Sequence, residues 1–266
     1  MKFYVVADVH GYYDYMVEAL QKEGFFNDKG PHKIVMCGDI YDRGPQNKDV
    51  EGFVAQLLDK DEIILIRGNH EDLLMSLVDT LPSLNEYDLR FSHSYTNGTV
   101  DTLREIVGAS MDEMVLAPKK IAEQFKLSLT FTKIIPAMKD YYETEKYIFV
   151  HGWIPAKASG FGGMGLFFEY DPQWRDANSA DWTYARWYNG MLAAHQGVVV
   201  PGKTIICGHW HSSFGHCHYE NKGGEFSEDA DFSPFYGNGI IALDACTAHS
   251  KKVNCIVIND EELKNS

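Results

Sequence analysis

Short apolar runs alternate with amphipathic stretches along the first third of the chain. Continuous Val/Ile/Leu-rich runs of this length are typical of buried parallel strands, and they lie at residues 3–7, 33–37 and 62–66. Between the second and third runs, apolar residues recur at helical spacing, at Val50, Phe53, Val54, Leu57 and Leu58. Residues 72–78 also favour a helix. The pattern predicts βαβ units, each about 30 residues long.

The rest of the chain divides into a helical stretch and a second set of strands. Within residues 80–145, apolar residues recur at helical spacing, for example at Val100, Leu103, Ile106 and Val107, and the stretch 134–142 also favours a helix. Strands are predicted at residues 146–150, 204–207, 239–243 and 253–258. Loops are predicted at the glycine-rich residues 159–165 and the polar residues 220–238. We expect one domain over residues 1–266.

Composition and charge narrow the class of protein. The chain has 266 residues, of which 45% are hydrophobic and 23% charged, as in an ordinary globular protein with one large core. The formal net charge of −14 argues against a general nucleic-acid surface, which would be basic. The five irregularly spaced cysteines fit a reducing cytosol better than a disulfide framework. Since no signal peptide or membrane span is predicted, we expect a cytoplasmic protein without membrane contact.

Clusters of potential metal ligands open just after the apolar runs. They read Asp8-Val9-His10-Gly11, Gly38-Asp39-Ile40-Tyr41-Asp42-Arg43-Gly44, Arg67-Gly68-Asn69-His70-Glu71, His151-Gly152 and Gly208-His209-Trp210-His211, with Asp244 later in the chain. Because ligands gather at the carboxyl ends of parallel strands, we expect these side chains to converge. Converging carboxylate, amide and imidazole groups suit a pair of divalent metal ions, which predicts a hydrolase acting on phosphate esters.

Each cluster taken alone has an ordinary structural explanation. Asp39 is also a typical helix N-cap, Asn69 a typical turn residue, and His70 fits a satisfied core histidine. Asp8 beside His10 is a weak signal, because a capping Asp next to a buried His gives the same pattern. The clusters together are specific, because chance rarely places them in this order. The prediction therefore depends on their combination.

The combined motifs resemble those of the calcineurin-like metallophosphoesterase superfamily. Within it, the runs 38–44 and 67–71 are most similar to the phosphoprotein phosphatase family and its bacterial members. The resemblance covers the strands from residue 3 to 69 and from 147 to 258. It implies an α/β fold, an αββα sandwich in which two central mixed β-sheets are flanked by helices. Residues 80–145 lie outside the resemblance and are predicted to form a helical insertion, or cap, beside the site.

The resemblance also implies a centre of two divalent metal ions. Asp8, His10 and Asp39 would hold one ion, and Asp39, Asn69, His151 and His209 would hold the other, with Asp39 bridging. His211 would join the first ion, as in the wider superfamily, although protein phosphatases usually lack this second histidine. A hydroxide between the ions would be the nucleophile. The same nitrogen and oxygen shell accepts Mn, Fe or Zn, so the identity of the metal is open.

Further roles follow from the same resemblance. His70 resembles the family's general acid, Asp42 its carboxylate partner, and Asp244 a residue that orients a metal-bound histidine. Guanidinium groups bind phosphate oxygens bidentately. The arginines implied to bind phosphate are Arg43, Arg67 and Arg186, with Arg175 and Arg90 as rivals for the third position and a structural salt bridge as the alternative for Arg67.

Three functions are compatible with these residues. The first is a di-metal phosphomonoesterase, plausibly a Ser/Thr protein phosphatase, whose substrate is a phosphoprotein or a small phosphate ester. The alternative is a symmetrical dinucleoside tetraphosphate hydrolase, which shares nearly all of the motifs. The third is a non-catalytic scaffold of the same fold, which is disfavoured because such proteins usually lose ligands that this chain retains.

Overall fold

The computed structural model describes residues 1–159 and 167–261. Within them the strands are β1 (Lys2–Val6), β2 (His32–Cys37), β3 (Ile63–Ile66), β4 (Tyr142–Glu143), β5 (Tyr147–Phe149), β6 (Lys157–Ser159), β7 (Phe167–Glu169), β8 (Thr204–Cys207), β9 (Phe235–Gly237), β10 (Ile240–Ala242) and β11 (Cys255–Asn259). The helices are α1 (Tyr13–Lys22), α2 (Asn47–Asp59), α3 (Asn69–Thr80), α4 (Glu86–Phe91), α5 (His93–Thr96), α6 (Thr99–Val107), α7 (Met111–Leu116), α8 (Pro118–Phe125), α9 (Ile135–Ala137), α10 (Ser179–Ala185), α11 (Gly190–His195), α12 (Ser213–Glu220) and α13 (Thr247–Ser250). Short 3₁₀ turns lie at Phe25–Asn27, Leu81–Ser83 and Trp174–Asp176, and a π-helical turn lies at Thr130–Ile134.

Two mixed β-sheets form the centre of the described structure. The first sheet has the strand order β11-β1-β2-β3, with β1, β2 and β3 parallel and β11 antiparallel to β1. The second has the order β4-β5-β8-β10-β9, in which β5, β8 and β10 are parallel and the two edge strands are antiparallel. Strands β6 and β7 form a separate antiparallel pair. Each large sheet therefore presents the carboxyl ends of three parallel strands.

Alternating side chains of β1 divide the core into layers. Phe3 and Val5 pack between the two sheets, whereas Tyr4 and Val6 face the helices that cover the first sheet. This division follows from the two-residue period of a strand, whose side chains point to opposite faces. A third cluster, which includes Ile205, covers the outer face of the second sheet. The helix–sheet–sheet–helix arrangement confirms the predicted fold class.

The helices between residues 80 and 145 extend the layer that covers the first sheet. Leu89 of α4, Leu103 of α6 and Phe125 of α8 belong to one hydrophobic cluster with Val54 of α2. The start of α6 also reaches the loop after β2. A Cβ added to Gly98, just before α6, would lie 2.4 Å from the Arg43 backbone nitrogen. The role of this region as a cap, and the extent of the domain, stay predictions.

The helix predicted over residues 134–142 is wrong beyond Ala137. Lys139 instead continues as extended backbone beside β3: its N–H donates to Leu65 O at 2.9 Å, and its O accepts from Arg67 N at 2.9 Å. Tyr142 then begins β4. The exposed edge of β3 offers backbone partners, and pairing with them outweighs the helical spacing of the apolar residues.

One predicted loop needs revision, and a second lies almost wholly outside the described residues. Within residues 220–238, the structure has the edge strand β9, which pairs with β10 and was missed because its flanking residues are polar and glycine-rich. Of the loop predicted at residues 159–165, residue 159 ends β6 and residues 160–165 lie outside the described residues.

Among the described helices, none combines the length and the apolar character that crossing a bilayer requires.

Phe149 offers a test of the layer between the sheets. It is fully buried, and its ring centroid lies 6.1 Å from that of Phe3 and 5.9 Å from that of Tyr142. Phe149→Ala should lower the free energy of unfolding by about 3–5 kcal/mol, because it leaves a cavity between the sheets. Phe91→Ala is the control, since Phe91 is 70% exposed, and should change it by about 0.5 kcal/mol or less. Equal losses in urea unfolding would contradict the layered core.

Candidate metal centre

The predicted ligands lie just beyond the carboxyl ends of the parallel strands of both sheets. Two residues after the ends of β1, β2, β5, β8 and β10, and three after β3, come Asp8, Asp39, His151, His209, Asp244 and Asn69. Hydrogen bonds connect the two sheets here, because His209 N donates to both carboxylate oxygens of Asp8 at 3.0 Å. The structure thus brings together residues that lie more than 200 positions apart in the chain.

Left-handed backbone conformations are concentrated in the loops of this centre. Of the ten described non-glycine residues with positive φ, six are Asp8, His10, Asp39, Asp42, Arg43 and His209, with φ between 50° and 76°. Each such residue costs roughly 1–2 kcal/mol of backbone energy, and this type of strain clusters at functional sites. The sharp turns aim successive side chains toward the same point.

The carboxylate of Asp39 belongs to two groups of potential ligand atoms. One group is His10, Asp39 and His70, and the other is Asp39, His151 and His209; within each, the ligand atoms lie within 4.8 Å of one another. Asp39 Oδ2 is 3.8 Å from His10 Nε2, whereas Oδ1 is 3.3 Å from His151 Nε2. The two oxygens thus face different imidazoles. This set of carboxylate and imidazole donors fits two divalent metal ions that share Asp39.

Backbone carbonyls orient two of the imidazoles. His151 Nδ1 donates to Cys37 O at 2.8 Å, and His10 Nδ1 donates to Tyr41 O at 2.9 Å. A carbonyl can only accept, so Nδ1 carries the proton in each case and Nε2 faces Asp39. His151 Nε2 also lies 2.8 Å from Asn69 Oδ1, which places that amide oxygen in the second group.

Burial and the Asp39 carboxylate act in opposite directions on the protonation of the histidines. It lowers the pKa of His209 to about 3 and that of His10 well below its usual range, so both are neutral, as metal ligands must be. Burial acts in the same direction on His151, but the Asp39 carboxylate outweighs it and raises the pKa of His151 to about 10. The buried carboxylate therefore requires positive charge beside it, which is what bound cations supply.

Asp8 and Asp244 lie beside the two groups of ligand atoms. Burial is the main cause of the raised pKa of Asp8, and the nearby Asp244 adds to it. Burial raises the pKa of Asp244 to about 6, and one of its oxygens accepts from Cys246 N at 2.7 Å. Thr247 Oγ1 donates to Asp8 O at 2.9 Å, which fixes the loop after β1. The geometry puts Asp244 next to the centre.

His211 has partners of its own. Its Nε2 lies 3.1 Å from Glu225 Oε1, and its Nδ1 lies 3.0 Å from Ser213 Oγ. The two groups of ligand atoms found among the described residues do not include it. Its predicted role as a ligand stays a prediction.

His70 lies between two carboxylates. Its Nδ1 is 2.7 Å from Asp42 Oδ2, and its backbone N–H donates to Asp39 Oδ1 at 2.9 Å. Burial disfavours the imidazolium, but Asp39 and Asp42 outweigh it and raise the pKa of His70. Its Nε2 lies 3.2 Å from Arg43 Nη2. The predicted acid, its carboxylate partner and one predicted phosphate-binding arginine are thus in contact.

The other two predicted phosphate-binding arginines share one carboxylate. Asp72 accepts from Arg67 Nε at 2.6 Å and from Arg186 Nη1 at 2.6 Å. Arg186 is buried and also pairs with Asp140. The rivals pair with acids elsewhere: Arg175 bonds Glu143 at 2.6 and 2.8 Å, and Arg90 bonds Glu86 at 2.8 Å.

Glu71 lies within one of the ligand clusters of the sequence, but its contacts at the centre were not predicted. Its buried carboxylate accepts from Asp39 N at 3.0 Å, from Ile40 N at 2.9 Å and from Gly68 N at 2.7 Å. It therefore joins the loop after β2 to the start of α3. An acidic residue three positions after Gly68, the N-cap residue of α3, is a capping signal, which could have identified it.

Comparison with known proteins identifies the family. Residues 1–213 match the family model of the calcineurin-like phosphoesterases. The chain therefore belongs to the calcineurin-like phosphoesterase family, and the predicted superfamily is confirmed.

Individual relatives match only part of this chain. The asymmetrical bis(5'-nucleosyl)-tetraphosphatase PrpE of Bacillus subtilis is 30% identical over 131 residues, which is 47% of this chain and 48% of that protein. The symmetrical bis(5'-nucleosyl)-tetraphosphatase of Enterobacter sp. strain 638 is 35% identical over 77 residues, 29% of this chain and 26% of that protein. The chain thus spans about half or less of the length of these relatives.

A solved structure shares the fold at low identity. The cold-active protein-tyrosine phosphatase of the psychrophile Shewanella sp. superposes with a TM-score of 0.51 at 17% identity, covering 97% of this chain and 75% of that chain. This likeness supports the sandwich architecture alone.

Glu71 provides a test of how the centre is held. Glu71→Gln should weaken the affinity for Mn²⁺ roughly 10- to 100-fold, because an amide N–H would face backbone N–H groups and displace the Asp39 loop. Isothermal titration with Mn²⁺ measures the affinity. Glu51→Gln is the matched control, since Glu51 is equally buried and accepts from Thr130 N at 2.8 Å instead. Equal losses in the two variants would show a general effect on folding.

Proposed function

We propose that this protein is a phosphoric ester hydrolase that works with two divalent metal ions. The observation that carries the proposal is the shared position of Asp39, whose two oxygens face separate groups of imidazoles while His70 lies beside it. When bound, a pair of divalent cations lowers the pKa of a water and binds phosphate oxygens. Non-catalytic scaffolds do not require a proton donor at this position.

We propose the same metal ligands that the sequence motifs predict. Asp8, His10 and Asp39 would hold one ion, and Asp39, Asn69, His151 and His209 the other, with His211 as a further ligand of the first. Asp8 supports this assignment because its carboxylate already joins the loops after β1 and β8 through His209 N. Asp244 would orient the loop after β10 beside these ligands.

His70 is proposed to protonate the leaving oxygen of the ester. Its Nδ1 donates to Asp42 Oδ2 at 2.7 Å, so the proton to be transferred would be carried by Nε2. In this structure Nε2 faces the Arg43 Nη2 donor at 3.2 Å, so Nε2 would take up that proton once Arg43 turns to the phosphate. A positioned acid of this kind contributes roughly 10²–10⁴-fold in rate. Arg43, whose side chain lies beside Nε2, would bind the phosphate oxygens. Arg67 and Arg186, which both donate hydrogen bonds to Asp72, would bind them as well.

The substrate is proposed to be a phosphomonoester, including phosphoserine or phosphothreonine in proteins. A protein phosphatase fits the pairing of Asp42 with His70, because these residues lie in the two motifs that resemble those of the phosphoprotein phosphatases. Dinucleoside tetraphosphate hydrolysis is the second candidate, and the names of the partial relatives favour it.

Side-by-side rates separate these substrates. Purified protein with Mn²⁺, Fe²⁺ or Zn²⁺ is given p-nitrophenyl phosphate, a phosphothreonine peptide, diadenosine tetraphosphate and bis(p-nitrophenyl) phosphate. The proposal expects hydrolysis of the monoesters, and a higher kcat/KM for the peptide than for diadenosine tetraphosphate. The reverse order would favour the second candidate. Inactivity with every metal and substrate would remove the enzyme proposal.

His70→Asn tests the proton donor. The variant should lose roughly 10²–10⁴-fold in kcat on an alkyl phosphate, because the leaving alkoxide is no longer protonated. Metal content, measured by inductively coupled plasma mass spectrometry, should be unchanged. Loss of metal along with activity would instead make His70 a ligand, a role its membership in the first group of ligand atoms allows.

A further inference from the structure

We propose that Thr99 and Thr102, in the first turn of α6, are positioning residues for proton donation by His70 and act on it through Asp42. The inference rests on the proposed function, because His70 has a proton to deliver only if the protein is a hydrolase. It assigns a part of the chemistry to the helical insertion, which carries none of the ligand motifs.

The contacts of Asp42 carry this inference. Thr99 Oγ1 donates to Asp42 Oδ2 at 2.7 Å, and Thr102 Oγ1 donates to Asp42 Oδ1 at 2.6 Å. Asp42, Thr99 and Thr102 are all fully buried. An ionised carboxylate can only accept, so both hydroxyl protons point at Asp42. Each oxygen of the buried carboxylate thus has its own hydroxyl donor, while Oδ2 also accepts from His70 Nδ1.

Donors on both oxygens fix the plane of the carboxylate. A carboxylate held on one side can turn about its Cβ–Cγ bond, whereas one held on both sides cannot. Thr102 adds a second constraint, because the backbone N–H of Asp42 lies 3.1 Å from the same hydroxyl oxygen. A fixed plane directs a lone pair of Oδ2 at His70 Nδ1. The proton-delivering Nε2 is thereby held toward the centre, 3.9 Å from Asp39 Oδ2.

The first turn of α6 and the residue before it pack closely against the loop after β2, which carries Asp42 and Arg43. Gly98, the residue before Thr99, has a φ of 84° and leaves no room for a Cβ beside Arg43. Asn47 completes the support by accepting from Asp42 N at 3.0 Å and donating to Glu105 of α6 at 2.8 Å. The two threonines lie 57 and 60 residues after Asp42, so the insertion supplies them from outside the motifs.

A positioning role predicts a loss that depends on the leaving group. A nitrophenolate leaves with little help from an acid, whereas an alkoxide must be protonated as it leaves. Misplacing the acid should therefore slow alkyl phosphates and leave activated aryl phosphates nearly unchanged. A general disturbance of folding or metal binding would slow both classes together.

The test compares kcat on glycerol 2-phosphate and on p-nitrophenyl phosphate for Thr99→Val and Thr102→Val. We expect each variant to lose roughly 10-fold or more on the alkyl ester and less than about 3-fold on the aryl ester. Thr99→Ser keeps the hydroxyl and should restore the parent ratio. Thr99→Cys, whose thiol is a weak donor, gives the same comparison if a valine variant does not fold.

Thr130→Val is the matched control. Thr130 is also fully buried and bonds a carboxylate, Glu51 Oε1, at 2.8 Å, but it is not bonded to Asp42. Its substitution should leave the ratio of the two kcat values unchanged, and all variants should bind the same amount of Mn²⁺.

Two outcomes distinguish a failure of the proposed function from a failure of the positioning role. A parent protein that hydrolyses neither these esters nor the other substrates with any of the three metals removes the proposed function, and this inference with it. An active parent whose Thr99 and Thr102 variants slow both esters equally, or are not restored by serine, overturns the positioning role and leaves the proposed function in place.

Discussion

A buried carboxylate at the meeting point of the two sheets is the constraint on which the site depends. Asp39 is 2% exposed, and an isolated charge in such a place is strongly unfavourable. The surrounding residues compensate for this buried charge. Imidazoles face both of its oxygens, the His70 N–H bonds one of them, and Glu71 holds the backbone on which it is carried. The left-handed conformations of the loop are the backbone cost of placing it there.

Much of the fold and of the centre was predictable because parallel strands end where ligands gather. The run at residues 204–207 coincides with β8, and His209 follows it in the position expected. The polar residues after each apolar run could therefore be identified without knowing how the sheets pack. This reasoning uses only local patterns and the direction of the strands.

What escaped prediction depends on contacts between distant segments. Nothing around Thr99 or Thr102 marks them as partners of Asp42, since the contact exists only after α6 packs on the loop. Lys139 has the local pattern of a helix but pairs with the edge of β3. The contact of His211 with Glu225 likewise escaped prediction, because no motif marks Glu225 as its partner. In each case tertiary packing outweighs local preference.

The strand-end position of the ligands has a consequence for stability. Asp39 belongs to the first sheet and His151 and His209 to the second, so an ion held by all three exists only while the sheets are packed together. By mass action, a metal present at 100 times its dissociation constant would add about 2.7 kcal/mol to the free energy of unfolding. The added stability would hold together the two sheets that meet at the layer formed by residues such as Phe3 and Phe149. The ion would thus act as a reversible cross-link between the sheets, and the metal supply of the cell would set how firmly the sandwich is closed.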